Sequence, residues 1–322
     1  MARAEGSCPA IFFIPLHVME IARHYMPMPD DIVPEGSSDP VAVFERARNE
    51  MLRKKRIQSV VFIGVFLACL TAAVIVGQFD IAVLIKGFPR TTEYIEKLLP
   101  VLRWETLGAD VSEWYWNIGK WLELLAETLL MAFFATLMGT VCAFILSFSA
   151  SNNLMTTHWI YFITRRFLEI ARSVPDLVYA LVFVFAWGLG PLAGILALAI
   201  HTMGASGKLF AEVNENIDPN PLEGVRAAGG NWVEMIRFAV VPQVLPAFAS
   251  YTLWRFEINV RTAAILGFVG AGGIGYELYT NIRLSYYDDV SAILLIIVAA
   301  VIAVDMSCEE VRHRMIGKEF LR

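Results

Sequence analysis

The chain has 322 residues, of which 57% are hydrophobic and 18% charged, with a formal net charge of −5. Charge at that level lies below the roughly 25% usual in soluble domains, and long stretches carry no Asp, Glu, Lys or Arg at all. This pattern places the chain in a lipid bilayer and excludes the concentrated basic face of a soluble nucleic-acid-binding domain, so nucleic acid is not an expected partner.

The four cysteines, Cys8, Cys69, Cys142 and Cys308, have neither metal-ligand spacing nor a disulfide framework, and no function attaches to them. At the amino end, residues 8–19 are mostly apolar but lack a basic region before them and a cleavage site after them. Residues 27–40 are rich in Pro, Asp and Ser and read as a linker. Residues 1–45 are therefore expected to form a flexible or partly ordered extension.

Residues 57–77 are long and apolar enough to cross a membrane, directly after the basic residues Arg46, Arg48, Arg53, Lys54, Lys55 and Arg56. Residues 79–120 mix charges with Trp104, Trp114, Tyr115 and Trp116, with Trp121 just beyond, aromatics that favour the membrane–water interface. They read as an external amphipathic connection, so 46–120 hold the first span and that connection, and 121–322 the core domain.

A second span covers 122–148, with Glu123 and Glu127 near one end. Residues 149–164 read as a loop, closed by Arg165, Arg166 and Arg172. The uncharged run 177–207 is too long for one untilted span, and Gly188-Leu189-Gly190-Pro191 divides it into spans over 168–188 and 191–211. A polar segment, 212–237, leads to a fifth span over 243–269 and a sixth over 290–307. The expected fold is thus an all-α, polytopic membrane protein with six transmembrane helices. Basic clusters at 46–56, at 165–172 and at Arg312, Arg314, Lys318 and Arg322 all fall on one side with six spans. The positive-inside rule makes that side, both termini and the 212–242 loop cytoplasmic.

That loop holds two helix starts. Asn220-Pro221-Leu222-Glu223 supplies an N-cap, a proline at the first helical position and an acid for a capping box; Asn231-Trp232-Val233-Glu234 repeats the logic. Gly229-Gly230 suits the left-handed turn between them, and Pro242 is expected to end the second helix. Local signals allow either a plain helical connection or a docking element.

Within the fifth span lie Arg255, Glu257, Asn259 and Arg261. Ionisable groups at such depth are costly and face the bundle interior or a water-filled cavity. Glu257 and Arg261 stand at i,i+4, in the favourable order for an ion pair, while Arg255 has no local partner. These groups either bias a path toward anions or lock helix packing. His201 in the fourth span either lines a path or satisfies one hydrogen bond. Ser173, Pro175 and Asp176 read as an N-cap-like start to the third span. Gly270, Gly272, Gly273 and Gly275 spell GxGxxG, but they follow a membrane span rather than a strand, so a bend for close packing is expected instead of a dinucleotide site.

Glu223, Ala227, Gly229 and Pro242 are similar to the cytoplasmic signature of bacterial ATP-binding-cassette (ABC) importer permeases, with Gly224 and Val225 where that signature has two alanines. Arg255-Phe256-Glu257-Ile258-Asn259-Val260-Arg261, Ile265-Leu266-Gly267-Phe268-Val269-Gly270-Ala271-Gly272-Gly273-Ile274-Gly275, Arg172-Ser173-Val174-Pro175-Asp176-Leu177 and the stretch from His201-Thr202 to Glu212 resemble the phosphonate permeases. The glycine-rich end is shared with methionine-importer permeases; the combination is not.

The resemblance implies the ABC-importer permease fold. Its coupling hairpin, shaped by Glu223, Ala227, Gly229 and Gly230 and ended by Pro242, would lie between spans four and five. It also implies a translocation path that draws on Arg255, Glu257, Arg261, His201 and Ser173. Expected partners are a second copy of the permease, two cytosolic ABC ATPases and an extracytoplasmic phosphonate-binding protein, all at the bacterial inner membrane. The chain carries no G-x-x-x-x-G-K-[ST], so ATP and Mg would be bound by the partner ATPase, with no cofactor in this chain. No metal-ligand set and no nucleophile elbow support a membrane enzyme; a secondary transporter would show duplicated or matching broken helices.

Overall fold

The computed structural model describes residues 40–100, 103, 105–155 and 157–316. Most of the expected extension, with Cys8, and also Trp104, Lys318 and Arg322, lie outside the described residues. The chain divides into two compact units, Met1–Phe88 and Pro89–Arg322.

In the first unit, helix α1 (Pro40–Val76) carries the apolar run and, before it, the basic cluster. The helix begins at Pro40, so residues 40–45, the end of the expected extension, are its opening turns; the fixed φ of proline suits the first helical position. Its apolar side chains are exposed along the described length, as for a helix whose neighbours are lipid. Gln78 adopts a left-handed φ of 51° at the turn after it. Asp80 then accepts a hydrogen bond from the Ala82 N–H at 2.8 Å, opening α2 (Ile81–Leu98), which continues across the unit boundary with Pro89 inside it.

The second unit adds α3 (Leu107–Trp114), α4 (Ile118–Ser149), α5 (His158–Ser173), α6 (Asp176–Trp187) and α7 (Pro191–Glu215). After these come α8 (Pro219–Ala227), α9 (Trp232–Met235), α10 (Val241–Leu266), α11 (Gly273–Leu284) and α12 (Tyr287–Ile316). No strand occurs among the described residues. Among the described residues, five helical segments are long and apolar enough to span a membrane, or six when the bent pair α5–α6 counts as one span.

The centre of the unit is the parallel pair α4 and α7. Ala135, Thr136, Gly139 and Ala143 on α4 and Gly194, Ala197, Ala199 and Thr202 on α7 are all buried along this seam. Small residues let the two backbones approach: a Cβ on Gly139 would stand 2.7 Å from the Ala199 carbonyl oxygen. Helix α10 packs antiparallel across both. There the Asn259 Nδ2 donates to Thr136 Oγ1 at 2.8 Å and to Thr202 Oγ1 at 2.9 Å, tying three helices with one buried amide. A second knot joins Asn214 Nδ2 of α7 to Ser151 Oγ (3.2 Å) and Ser147 Oγ (3.4 Å) at the end of α4. Phe148, Phe210, Val240, Val244 and Phe248 close one end of the bundle, and Trp121, Ile274, Leu278, Val290 and Ile293 close the other.

The expected loop over 149–164 and unbroken span over 168–188 are both corrected. Helix α5 starts at His158, so Arg165, Arg166 and Arg172 sit on a helix that climbs antiparallel along α7. Arg165 pairs with Glu215 at 2.9 Å, and the backbone at Ala171 and Arg172 touches Gly204 so closely that a Cβ there would lie 2.6 Å from the Arg172 nitrogen. At Val174 and Pro175 the helix breaks, and α6 leaves at 86° to α5. Proline removes an N–H and drives the residue before it out of the helical region; Val174 accordingly has ψ 126°. The remaining spans begin and end within a few residues of expectation, except that α1 starts well before residue 57 and α12 runs on to Ile316.

Helix α11 folds back against the end of α10 through two facing glycines. A Cβ on Gly275 would stand 1.8 Å from the Ala264 carbonyl oxygen, and one on Gly267 would stand 2.4 Å from the Tyr276 nitrogen. Gly275→Ala is therefore expected to push α11 away and to cost about 1–3 kcal/mol by overpacking, read as a lower unfolding midpoint of the detergent-solubilised protein. Gly64→Ala on α1, where a Cβ meets nothing within 4 Å, should leave the midpoint unchanged. Equal midpoints for both variants would refute the close approach.

Candidate functional site: a capped hairpin and a buried polar centre

The segment between α7 and α10 forms a helical hairpin. Its first helix opens earlier than the sequence signals place it: Asp218, not Asn220, is the N-cap and accepts from the Asn220 N–H at 3.0 Å, with Pro219 in the first turn. Glu223 thus falls beyond the capping-box position, and its exposed carboxylate meets no partner among the described residues. The turn between the helices satisfies the expected motif. Gly229 takes φ 82°, its N–H donates to Arg226 O, and the Gly230 N–H donates to Val225 O, each at 3.0 Å. Ala227 is exposed beside it.

Asn231 and Glu234 form the expected reciprocal capping box, with Asn231 Oδ1 accepting at 3.0 Å and Glu234 Oε2 at 2.8 Å. Two contacts anchor the hairpin to the bundle: the Trp232 indole N–H donates to Leu154 O at 3.0 Å, and Gln243 Oε1 accepts from the Asp218 N–H at 3.1 Å. Pro242 does not end the second helix. The chain stays helical from α9 into α10 by widening into a π turn over Ile236–Val240, where the Val241 N–H reaches Ile236 O. That wider turn makes room for a proline whose ring would clash with the preceding turn of a regular helix.

The charged residues of α10 find partners on other helices, and this overturns the i,i+4 pair expected for Glu257 and Arg261. Glu257 is bound by Arg312 of α12. Arg261 makes a two-pronged contact with Asp305 of α12, at 2.7 and 2.8 Å. Both pairs staple α12 to α10, so their immediate role is packing. Sequence spacing could not reveal partners more than forty residues away; the one hint was Asp305, an acid inside the otherwise apolar sixth span.

Arg255 is different. It is 7% exposed, and its Nη2 lies 3.0 Å from His201 Nδ1 of α7. The same ring nitrogen lies 2.6 Å from Asp176 Oδ1 at the start of α6. One ring nitrogen has a single hydrogen-bonding site, so it either accepts from Arg255 or donates to Asp176. Nδ1 therefore serves one of Arg255 Nη2 and Asp176 Oδ1 at a time, and Arg255 Nε has no partner among the described residues in either case. The structure thereby brings together Arg255 and His201 with Asp176, a residue that the sequence offered only as a helix start. Ser173 is not an N-cap: it is the last residue of α5, where its hydroxyl donates to Glu169 O at 2.6 Å.

The glycine-rich bend follows α10 at the end of the bundle away from the hairpin. Gly270 adopts φ 90° and its carbonyl accepts from the Gly190 N–H at 3.0 Å, fixing the α6–α7 turn. Gly272 and Gly273 also take positive φ, of 82° and 69°. The Ile274 N–H then donates to Thr128 Oγ1 at 2.9 Å, joining α11 to α4. The GxGxxG spacing here serves a turn and three close approaches.

Residues 135–308 match the model of a family described as the binding-protein-dependent transport system inner membrane component. A phosphite transport system permease protein of Stutzerimonas stutzeri is 37% identical over 77% of this chain and 84% of its own length. A putative cryptic phosphonate transport system permease protein of Escherichia coli is 44% identical over 38% of this chain and its whole length. Among solved structures, the inward-facing MetNI methionine ABC transporter superposes with a TM-score of 0.53 at 19% identity, covering 61% of this chain and 95% of the matched chain; that likeness concerns the fold. With the hairpin between the fourth and fifth spans, the broken third span and a family match over most of the core, the chain belongs to the inner-membrane permeases of binding-protein-dependent transport systems.

Proposed function

We propose that this chain is the translocating subunit of an ATP-driven importer for phosphite or phosphonate oxyanions. In this reading two copies pair in the membrane, two ABC ATPases dock on the hairpins, and an external binding protein delivers substrate. The observation that carries it is the hairpin itself. It is rigidified by a complete glycine turn and a reciprocal cap, anchored at both ends, and presents Glu223 and Ala227 on a face that nothing in the described chain covers. Names of the relatives support the substrate class, since one belongs to a phosphite system and another to a phosphonate system.

The hairpin end faces the cytoplasm in this proposal. Arg165, Arg166, Arg312 and Arg314 gather toward that end, as the positive-inside rule asks of a cytoplasmic face. The ATPases drive the cycle by binding the inward- and outward-open states of the permease with different affinity, because only such a difference shifts a conformational equilibrium. A stiff hairpin passes that difference to α7 and α10, the two helices it joins.

The substrate assignment is checked by uptake of labelled phosphite and methylphosphonate into proteoliposomes holding the permease with its ATPase and binding protein. Uptake should require ATP hydrolysis, should be competed by either oxyanion and should resist excess methionine. Transport that persists with a hydrolysis-dead ATPase would instead identify a secondary transporter. For the docking surface, Glu223→Lys is expected to abolish uptake and release the ATPase on purification, while oxyanion binding to the isolated binding protein stays unchanged. Normal uptake by this variant would remove the hairpin from the coupling route.

A further inference from the structure

The break between α5 and α6 has features that helix packing leaves unused. Val174 and Pro175 interrupt the span beside His201 and Gly204, the latter against the Arg172 nitrogen. His201 lies ten residues into α7, roughly 15 Å from its start at 1.5 Å per residue, and so near the middle of a hydrocarbon core of about 30 Å. Irregular backbone at that depth is tolerated only inside protein or along a water-filled cavity.

Helix α6 starts there without a side-chain cap. Its first acceptor, Pro175 O, takes the N–H groups of Val178 and Tyr179, while those of Asp176 and Leu177 find no acceptor among the described residues. Free N–H groups and the positive end of the helix dipole favour an anion.

Arg255 points to this terminus through His201 and is more than nine-tenths buried, with Nε unpartnered. Unlike Arg312, which holds a carboxylate, Arg255 contacts only a ring nitrogen, and its Nε has no partner among the described residues. Arg172, on the last turn of α5, is exposed and makes no ion pair or hydrogen bond among the described residues. The other charges on these elements are occupied: Arg166 with Glu169, Arg165 with Glu215, Lys208 facing Glu212, Glu257 with Arg312 and Arg261 with Asp305. Two arginines against the single carboxylate of Asp176 leave a net positive charge at the break even with His201 neutral.

Resting on the function proposed above, we propose that this break is the membrane-embedded binding site for the transported tetrahedral oxyanion. The anion's oxygens accept from the free N–H groups of α6, from the spare donor of Arg255 and from Arg172. Half-helix N-termini that meet anionic groups at mid-membrane are a recurring solution in transporters. Arg172 is the accessible member and first meets the anion; Arg255 holds it from within the bundle. Glu257 and Arg261, each already paired, lie outside this site.

The test uses the complete permease–ATPase complex in proteoliposomes, with its binding protein and labelled phosphite or methylphosphonate. Arg255→Gln and Arg172→Gln are each expected to lower uptake at least about tenfold, the loss typical of removing one charged hydrogen-bond partner, with the ATPase still co-purifying in wild-type ratio. Arg255→Lys should recover part of the uptake, since it restores charge without the guanidinium fork. Should Arg255→Gln disassemble the complex, Arg172→Gln decides, because its side chain is exposed and leaves nothing buried unpaired. Wild-type uptake by an assembled Arg172→Gln complex, alongside a transporting wild type, overturns the site and leaves the function standing. A wild-type complex that takes up neither oxyanion overturns the function, and the site with it.

Discussion

In a lipid bilayer apolar side chains gain nothing by leaving solvent for one another, so helices associate by closeness and by hydrogen bonds that have no water to compete with. The seam between α4 and α7 meets that constraint with alanine, glycine and threonine, and the rest of the second unit is placed by it. Gly139 brings the two backbones together, which sets Thr136 and Thr202 at the spacing Asn259 can bridge. Asn259 in turn fixes the rotation of α10 and therefore the direction in which Arg255, Glu257 and Arg261 point. A larger residue at the seam would shift all three.

Those three residues separate into two kinds once their partners are seen. Glu257 and Arg261 reach α12, so two charges that would be costly at such depth become cross-helix pairs. Arg255 reaches the opposite way, to α7 and the start of α6, and its pairing is incomplete. Arg312 also leaves its Nε without a partner among the described residues, but it holds a carboxylate, whereas Arg255 meets only a ring nitrogen, and incomplete pairing of a buried guanidinium is costly.

The irregular elements are distributed with the same economy. The π turn before Pro242 lets the hairpin run into α10 without a break in the helix. At the other end, Gly270 ties the end of α10 to the α6–α7 turn, and Thr128 ties α11 to α4. The break at Val174 and Pro175 lies between these two tied ends, beside His201 of α7.

Much of this was legible in the chain itself. Apolar runs located five spans because a helix needs a minimum length to cross hydrocarbon, and Gly188 to Pro191 divided the long run because those residues stop helices. Asn231 with Glu234, and the turn at Gly229, were readable because capping depends only on neighbours in sequence. Local signals misplaced the start of α8, since Asp218 and Asn220 are equally good caps and Gln243, twenty-five residues away, selects the former. They also misjudged Pro175 and Pro242, reading the first as a start to an unbroken span and the second as a stop. Whether a proline ends, bends or merely widens a helix depends on what packs around it. Above all, the partners of Glu257, Arg261 and Arg255 lie on helices far away in sequence. Sequence alone determined that charge is buried in this bundle, because residue type and span length are local properties. Only the tertiary structure decided which charges are paired and with which partners, because pairing is a property of neighbours in space.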